Sequence, residues 1–200
     1  LCGFPLAAPS ANKSGTLSPT TPQHVQNNMG ADIPFILASG KCKCGVESTI
    51  IDVTGDTAVI LRPGTITQEE VESLIGPVDT EFEIKEGQKP KAPGQLLRHY
   101  APNAKIRLQA VDVKQGEALL GFGSVKFMAV DEVGAASNLY ETRYQNLSEA
   151  GDLEEAAANL FDMLQKLDHG AYDTIAVMDI PRVGIGVAIN DRLARAAKRD

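Results

Sequence analysis

Between Pro9 and Pro19 the chain carries Ser10, Ser14, Thr16 and Ser18, together with the amide of Asn12 and the cation of Lys13. Apolar residues are too sparse there for a helix stripe or a strand face. Ser, Thr and Asn bond to nearby main-chain groups in competition with helix or sheet ladders, so residues 8–20 read as an ordered loop. Such a loop is either a polar surface connection or one wall of a site for an oxygen-rich ligand such as a phosphate, a ribose or a carboxylate. Three residues further along could complete such a wall: Ser48 at a strand start, Arg62 at a strand end before Pro63-Gly64, and Tyr100 in a later linker. A guanidinium forks onto phosphate, and an aromatic ring closes over a base.

Other chemistry is poorly supported. Gly121-Phe122-Gly123 and Gly184-Ile185-Gly186 lack the third glycine of a dinucleotide fingerprint and read as turn glycines, and there is no Walker A sequence. Cys42-Lys43-Cys44 has a one-residue gap, which is too short for a zinc ligand pair, so no metal site is assigned and these read as free loop thiols. His24 and His169 sit in polar company and are expected at the surface, whereas His99 adjoins Tyr100 and is a candidate ligand contact. Glu69-Glu70 and Glu154-Glu155 fall in first helical turns, where the helix dipole accounts for them. No catalytic acid, base or nucleophile is assigned beyond substrate positioning.

The elements that would position these groups are legible from pattern. Thr21-Pro22 starts a short helix ending near Met29-Gly30. Residues 34–38 are expected to form a buried strand. Residues 48–53 and 58–62 make a hairpin across Thr54-Gly55-Asp56, with Ala58, Ile60 and Arg62 on one face. Thr67 and Glu70 form a capping box for a helix carrying Val71, Leu74 and Ile75 on one side. The stretch from Asp79 to Pro102, rich in Lys, Glu, Pro and Gly with little periodicity, reads as a linker. Strands are then expected at 105–108, 118–122, 127–130 and 174–178. A helix capped by Asp152 presents Leu153, Ala156, Leu160, Phe161, Leu164 and Leu167 at helical spacing, and a closing helix spans 190–198 with late basic residues suited to its dipole. The alternation predicts a parallel α/β layer.

The chain has 200 residues and a formal net charge of −7. That balance argues against a general nucleic-acid binder, and the absence of Trp leaves few stacking platforms for single strands. No apolar run approaches membrane-span length. Three cysteines, an odd count, suit a reducing compartment. The chain opens at Leu1 within an apolar segment, and further residues are expected upstream.

Ala8-Pro9-Ser10-Ala11-Asn12, Ser14-Gly15 and Ser18-Pro19-Thr20, then Glu47-Ser48-Thr49-Ile50-Ile51-Asp52 and Leu61-Arg62-Pro63-Gly64, resemble the motifs of the Sua5/YrdC/YciO family in order and spacing. Ala92-Pro93-Gly94 and Arg98-His99-Tyr100-Ala101-Pro102, followed by an α/β segment, resemble the longer Sua5 type. The resemblance implies an α/β protein: the C-terminal part of a YrdC-like twisted α/β domain (residues 1–80), an interdomain linker (81–104), and a small Rossmann-like Sua5 domain (105–200). It implies an L-threonylcarbamoyladenylate synthase, a cytoplasmic nucleotidyltransferase. Such an enzyme joins L-threonine, bicarbonate or CO2 and ATP into threonylcarbamoyl-AMP and pyrophosphate, and its product passes to the tRNA threonylcarbamoyl-transfer machinery for t6A37 formation.

Carried over by position, Ser10, Asn12, Ser18, Arg62 and Tyr100 would contact ATP, and Ala8 and Ser48 would contact threonine. Mg2+ would ride with the ATP phosphates. Direct tRNA binding is not expected. Loss of Arg62 is expected to damage turnover far more than fold. The family's Lys/Arg-rich segment lies upstream of the first motif, so these 200 residues alone are expected to be inactive. The alternative is a non-enzymatic RNA-binding module or a regulatory nucleotide-binding module.

Overall fold

In the computed structural model, residues 3–5, 8–82, 90–96, 99–125, 143–169 and 172–198 are described. The strand expected at 127–130, Arg98, and part of the linker lie outside these residues.

Helix α1 (Pro22–Met29) begins where the sequence indicates, with the Thr21 side chain accepting from the His24 N–H and Pro in the first turn. Strands β1 (Ile50–Asp52) and β2 (Val59–Arg62) form the expected antiparallel hairpin, with a register shift between Ile50 and Ile51. Helix α2 (Gln68–Ile75) carries the Thr67/Glu70 capping box in full. Strand β3 (Asp79–Thr80) then pairs parallel to β2, giving a sheet of order β1-β2-β3. The core of this sheet is small: Ile60, Val71 and Val78, with Ile51, Ala58 and Phe82 packed around them.

The second sheet is all parallel among the described residues, in the order β4-β7-β5-β6. Its strands are β4 (Lys105–Arg107), β5 (Glu117–Gly121), β6 (Tyr144–Asn146) and β7 (Thr174–Val177). Helices α3 (Leu153–Asp168) and α4 (Gly186–Ala197) pack against it and against each other. Period-two alternation places Ala118 and Leu120 in the core with Leu160, Phe161, Ile189 and Leu193, while Leu119 turns to the other face with Ala110 and Ala176. This is the α/β layer that alternating strand and helix patterns predict.

The larger core does not stop at the linker. Leu17 of the opening loop, Val46 ahead of β1, and Tyr100 are buried in the same cluster as α3 and α4. Gly45 is one reason the approach is so close. Its φ is +69°, and a Cβ there would stand 2.2 Å from the Ala157 carbonyl oxygen of α3, so a side chain would push the loop off the helix.

Several expectations are corrected. Residues 34–38 form no strand, and Phe35 and Leu37 are 74% and 89% exposed. An apolar run becomes a strand only with a ladder partner, and none of the described residues supplies one. In α2 only Val71 is buried, while Leu74 and Ile75 face outward, because two helical turns over a three-stranded sheet bury little more than one side chain. Strand β3 falls at the start of the stretch expected to be a linker, where two exposed residues pair with β2, and strand β6 has no counterpart in the sequence pattern. It is three polar or half-buried residues on a sheet edge, too short to show periodicity. Helix α4 starts at Gly186 rather than at 190. Asn190 lies inside it, its Nδ2 donating to the Ile180 and Gly186 carbonyls.

Candidate functional site

The opening loop holds itself together. Asn12 Nδ2 donates to the Lys13 carbonyl at 3.0 Å and to the Thr16 carbonyl and hydroxyl at 3.3 Å. Asn28 Oδ1 of α1 accepts from the Lys13 N–H at 2.7 Å. The loop is then pinned from three other elements. The Ala101 N–H donates to Gly15 O at 2.9 Å, Cys42 N–H to Thr20 O at 2.8 Å, and Gln165 Nε2 of α3 to Ser18 O at 3.0 Å. Asn12 is therefore a brace of the loop, and its buried Oδ1 is the one polar atom of that side chain without a partner.

Ser10 and Ser18 come together in one cavity of about 180 Å³, lined also by Thr20, Cys42, Cys44 and Glu47. Ser10 and Ala8 are exposed, whereas Ser18 is buried. The Ser18 hydroxyl donates to Glu47 Oε1 at 2.6 Å. Glu47 Oε2 in turn accepts from Arg192 Nε at 2.8 Å. Arg192 comes from α4 and is 1% exposed. Its other nitrogens reach the Pro63 carbonyl at 2.9 Å and Asp191 at 2.6 Å, and its guanidinium carbon stands 5.2 Å from the centre of the Tyr100 ring. Burial raises the Glu47 carboxyl, but the Arg192 charge and the hydrogen bonds from Ser18 and Arg192 outweigh it and hold the group below the usual carboxylate range. Glu47 is thus a carboxylate at neutral pH.

Arg62 and Ser48 form the neighbouring half of the cluster. Arg62 is buried, and it donates from Nε and Nη2 to the Ser48 carbonyl at 3.1 and 2.8 Å, from Nη2 to Ser48 Oγ at 3.3 Å, and from Nη1 to the Pro93 carbonyl at 3.2 Å. The fork assigned from sequence to a phosphate therefore grips a main-chain carbonyl, and with the bonds to Ser48 Oγ and the Pro93 carbonyl most of the guanidinium's N–H donors are engaged. Arg62 joins the end of β2 to the start of β1 and to the linker. Its removal would break bonds that hold these segments together, so a cost in stability is expected beside the damage to turnover that the sequence reading puts first.

Tyr100 is 2% exposed and its φ is +58°, a left-handed conformation that bulky residues seldom adopt. Its ring rests on Phe161 of α3 at 5.4 Å, and His99 meets it edge-on at 4.1 Å. Burial raises the pKa of its hydroxyl above the ordinary phenol value. Gly94 makes room for that hydroxyl: its φ is +82°, and a Cβ there would lie 2.5 Å from Tyr100 Oη. The sequence reading has Tyr100 as an aromatic closing over a nucleotide; here it is a wall of the cluster, packed beneath Arg192. A depression of about 450 Å³ opens alongside, lined by Ser14, Lys91, Pro93, Gly94 and His99. The His99 Nδ1 is buried without a partner, and burial lowers the imidazole's proton affinity.

Of the seven residues assigned from sequence, Ser18, Ser48, Arg62 and Tyr100 are brought together through Glu47 and Arg192. Ser10 shares the cavity of Ser18, and Asn12 and Ala8 belong to the loop. Glu47, Arg192 and Phe161 were not assigned. For Arg192 a signal existed: it lies between Ile189, Leu193 and Ala196 on the apolar stripe of α4, where a charge demands a buried partner. By spacing alone the late cations of that helix suit its dipole, which is the weaker of the two signals. Arg195 is also buried, donating to the Phe82, Gln95 and Leu96 carbonyls. Among the described residues no three His, Cys, Asp or Glu side chains converge to hold a metal ion.

His24 corrects another expectation. It is not a surface residue: its side chain is 13% exposed, its Nδ1 accepts from the Thr20 N–H at 3.2 Å, and its Nε2 stands 3.4 Å from Asp162 of α3. Burial lowers its pKa below 6.5 and outweighs Asp162, which raises it. A depressed folded-state value means that the stabilisation is complete above about pH 6.5 and is lost as pH falls through the folded value. His24→Gln is expected to flatten the acid-side loss of stability, read from urea midpoints at a series of pH values. An unaltered slope would assign that loss to other groups.

Residues 66–198 match the family model described as threonylcarbamoyl-AMP synthase, C-terminal domain. Residues 1–64 match the Sua5/YciO/YrdC model described as telomere recombination. The chain is similar to the threonylcarbamoyl-AMP synthase of Bacillus subtilis, with 35% identity over 98% of this chain and 58% of that protein. It is similar also to that of Pyrococcus abyssi, with 36% identity over 96% of this chain and 58% of that protein. Its fold matches the crystal structure of P. abyssi Sua5 complexed with L-threonine at a TM-score of 0.78 and 31% identity, covering 94% of this chain and 56% of that one. The chain thus spans less than two thirds of the length of the relatives it matches.

Proposed function

The chain belongs to the Sua5 family of threonylcarbamoyl-AMP synthases, and from that premise we propose that it contributes part of the substrate site of an L-threonylcarbamoyladenylate synthase, a nucleotidyltransferase. In this reading residues 1–80 carry the C-terminal portion of the YrdC-like domain, 81–104 the linker and 105–200 the Sua5 domain. The observation that carries the reading is the convergence of the loop, hairpin and linker motifs on one hydrogen-bonded cluster, Ser18–Glu47–Arg192–Tyr100 with Arg62–Ser48 beside it. The relatives' names and the threonine complex point the same way.

The chemistry asks for little acid–base machinery. The amine of L-threonine takes up CO2, or reacts with bicarbonate with loss of water, to give a carbamate. A carbamate oxygen attacks the α-phosphorus of ATP and pyrophosphate leaves, giving threonylcarbamoyl-AMP. What the protein supplies is placement and charge. Ser10, Asn12, Ser18, Arg62 and Tyr100 serve ATP, with Mg2+ arriving on its phosphates, and Ala8 and Ser48 serve threonine. The product passes to the machinery that modifies tRNA, in the cytoplasm.

The test is threonine- and bicarbonate-dependent release of pyrophosphate from ATP by the full-length protein; no such dependence would refute the reading. Within it, Arg62→Lys keeps the charge and loses the fork. A kcat/KM lowered by about 10–100-fold is expected, the scale of one or two hydrogen bonds to a charged group. Full retention of kcat/KM would remove Arg62 from the site.

A further inference from the structure

We infer that Glu47 and Arg192 are positioning residues whose task is to fix the Ser18 hydroxyl as a hydrogen-bond acceptor towards the nucleotide. The inference rests on the ATP-site reading above and deepens it. A serine hydroxyl has one proton and two lone pairs. That of Ser18 gives its proton to Glu47 Oε1 at 2.6 Å, so only lone pairs remain for the cavity it shares with Ser10.

Nothing local lets the arrangement reverse. An ionised carboxylate only accepts, and the guanidinium only donates. Arg192 Nε holds Glu47 Oε2 at 2.8 Å, and Arg192 is itself held by the Pro63 carbonyl and Asp191 on helix α4. The polarity of one hydroxyl in the loop is therefore set, through Glu47, by a helix residue 145 positions beyond that carboxylate in sequence. Phosphate oxygens of ATP accept and do not donate at neutral pH, so they are the wrong partner for this hydroxyl. The group it suits is a donor on the nucleoside, either a ribose hydroxyl or the adenine amino group.

Glu47→Gln is the informative change because it keeps the volume. Its amide oxygen must face Arg192, which has no acceptor, and this turns the NH2 towards Ser18. The serine would then accept from Gln and point its proton at the nucleotide, donor against donor.

Calorimetry on the full-length protein tests this with ATP, and an unfolding midpoint and L-threonine affinity are measured on every variant. Glu47→Gln and Ser18→Ala are each expected to weaken ATP binding by about tenfold, the scale of one such hydrogen bond. The double variant should add little to either, since both changes act on one bond, and threonine affinity should hold. Inosine triphosphate and the two deoxy-ATPs identify the donor: the analogue lacking it binds wild type and Ser18→Ala alike. ATP binding unchanged in Glu47→Gln would overturn the inference. So would losses that multiply in the double variant, a parallel loss of threonine affinity, or a Ser18→Ala loss that persists with all three analogues. Failure of the wild-type protein to bind ATP would refute the functional reading itself, and the inference with it.

Discussion

Arg192→Met is expected to lower the unfolding free energy by about 3–5 kcal/mol, the cost of breaking a buried ion pair from one side. The guanidinium is 1% exposed and the Glu47 side chain 18%, so neither finds bulk water when its partner goes. Methionine replaces the volume of the stem but none of the hydrogen bonds. Three groups lose a donor at once: Glu47 Oε2, the Pro63 carbonyl and Asp191 Oδ2. The loss carries a pH signature. In the wild type, Glu47 titrates below the ordinary carboxylate range, so its stabilisation is present above that range and lost as pH falls through the lower value. Without Arg192, burial is left as the dominant influence and raises the carboxyl, so protonation relieves the variant. The gap between the two proteins should therefore narrow on acidification. Urea unfolding from neutral pH downward reads both effects. Adding Glu47→Gln should recover part of the neutral-pH loss by removing the stranded charge. A cost below about 1 kcal/mol would place the pair among ordinary surface ion pairs.

Phe161→Ala is expected to cost about 3–5 kcal/mol, the range for emptying a buried aromatic site. Phe161 is 0% exposed, in the core that α3 shares with β5 and β7, and its ring stands 5.4 Å from that of Tyr100. The void would open beneath a tyrosine held at φ +58°. That conformation persists only while its surroundings impose it, so the damage should extend to the linker. Two readouts separate the effects: the denaturant midpoint for the core, and the near-ultraviolet tyrosine circular dichroism, undisturbed by tryptophan since the chain has none. Phe161→Leu, which refills most of the volume, should cost less and keep the tyrosine signal. Equal losses in the two variants would show that the ring itself, rather than filled volume, supports Tyr100.

How much of this was legible depends on the range of the interaction concerned. The capping box of Thr67 and Glu70, the Thr21-Pro22 helix start, the Asp152 cap and the hairpin turn are local, closing within a few residues. The strand period of β5 and the stripe of α3 are equally local, since burial follows repeat spacing. The motif residues that gather at the site lie on these well-marked elements or the loops beside them. Where pattern reasoning failed, a partner was missing or distant. Residues 34–38 have strand composition and no ladder, and the face of Leu74 and Ile75 has nothing over it among the described residues.

What the sequence by itself determined is most of the elements, their α/β order, and the concentration of hydroxyl and amide groups in the opening loop. Burial pattern and capping are readable from neighbours a turn or a pleat apart, and the loop of residues 8–20 is polar whatever packs against it. Only the tertiary structure decided how those groups are turned. The charge state of Glu47 and the direction of the Ser18 proton depend on α4 docking beside the hairpin, the burial of Tyr100 on α3 and α4 together, and the engagement of Arg62 with Ser48 on the pairing of β1 and β2. An ion pair across 145 residues has no local spacing to reveal it. It forms because a charge on the apolar face of a helix must meet its counterion wherever the fold delivers one.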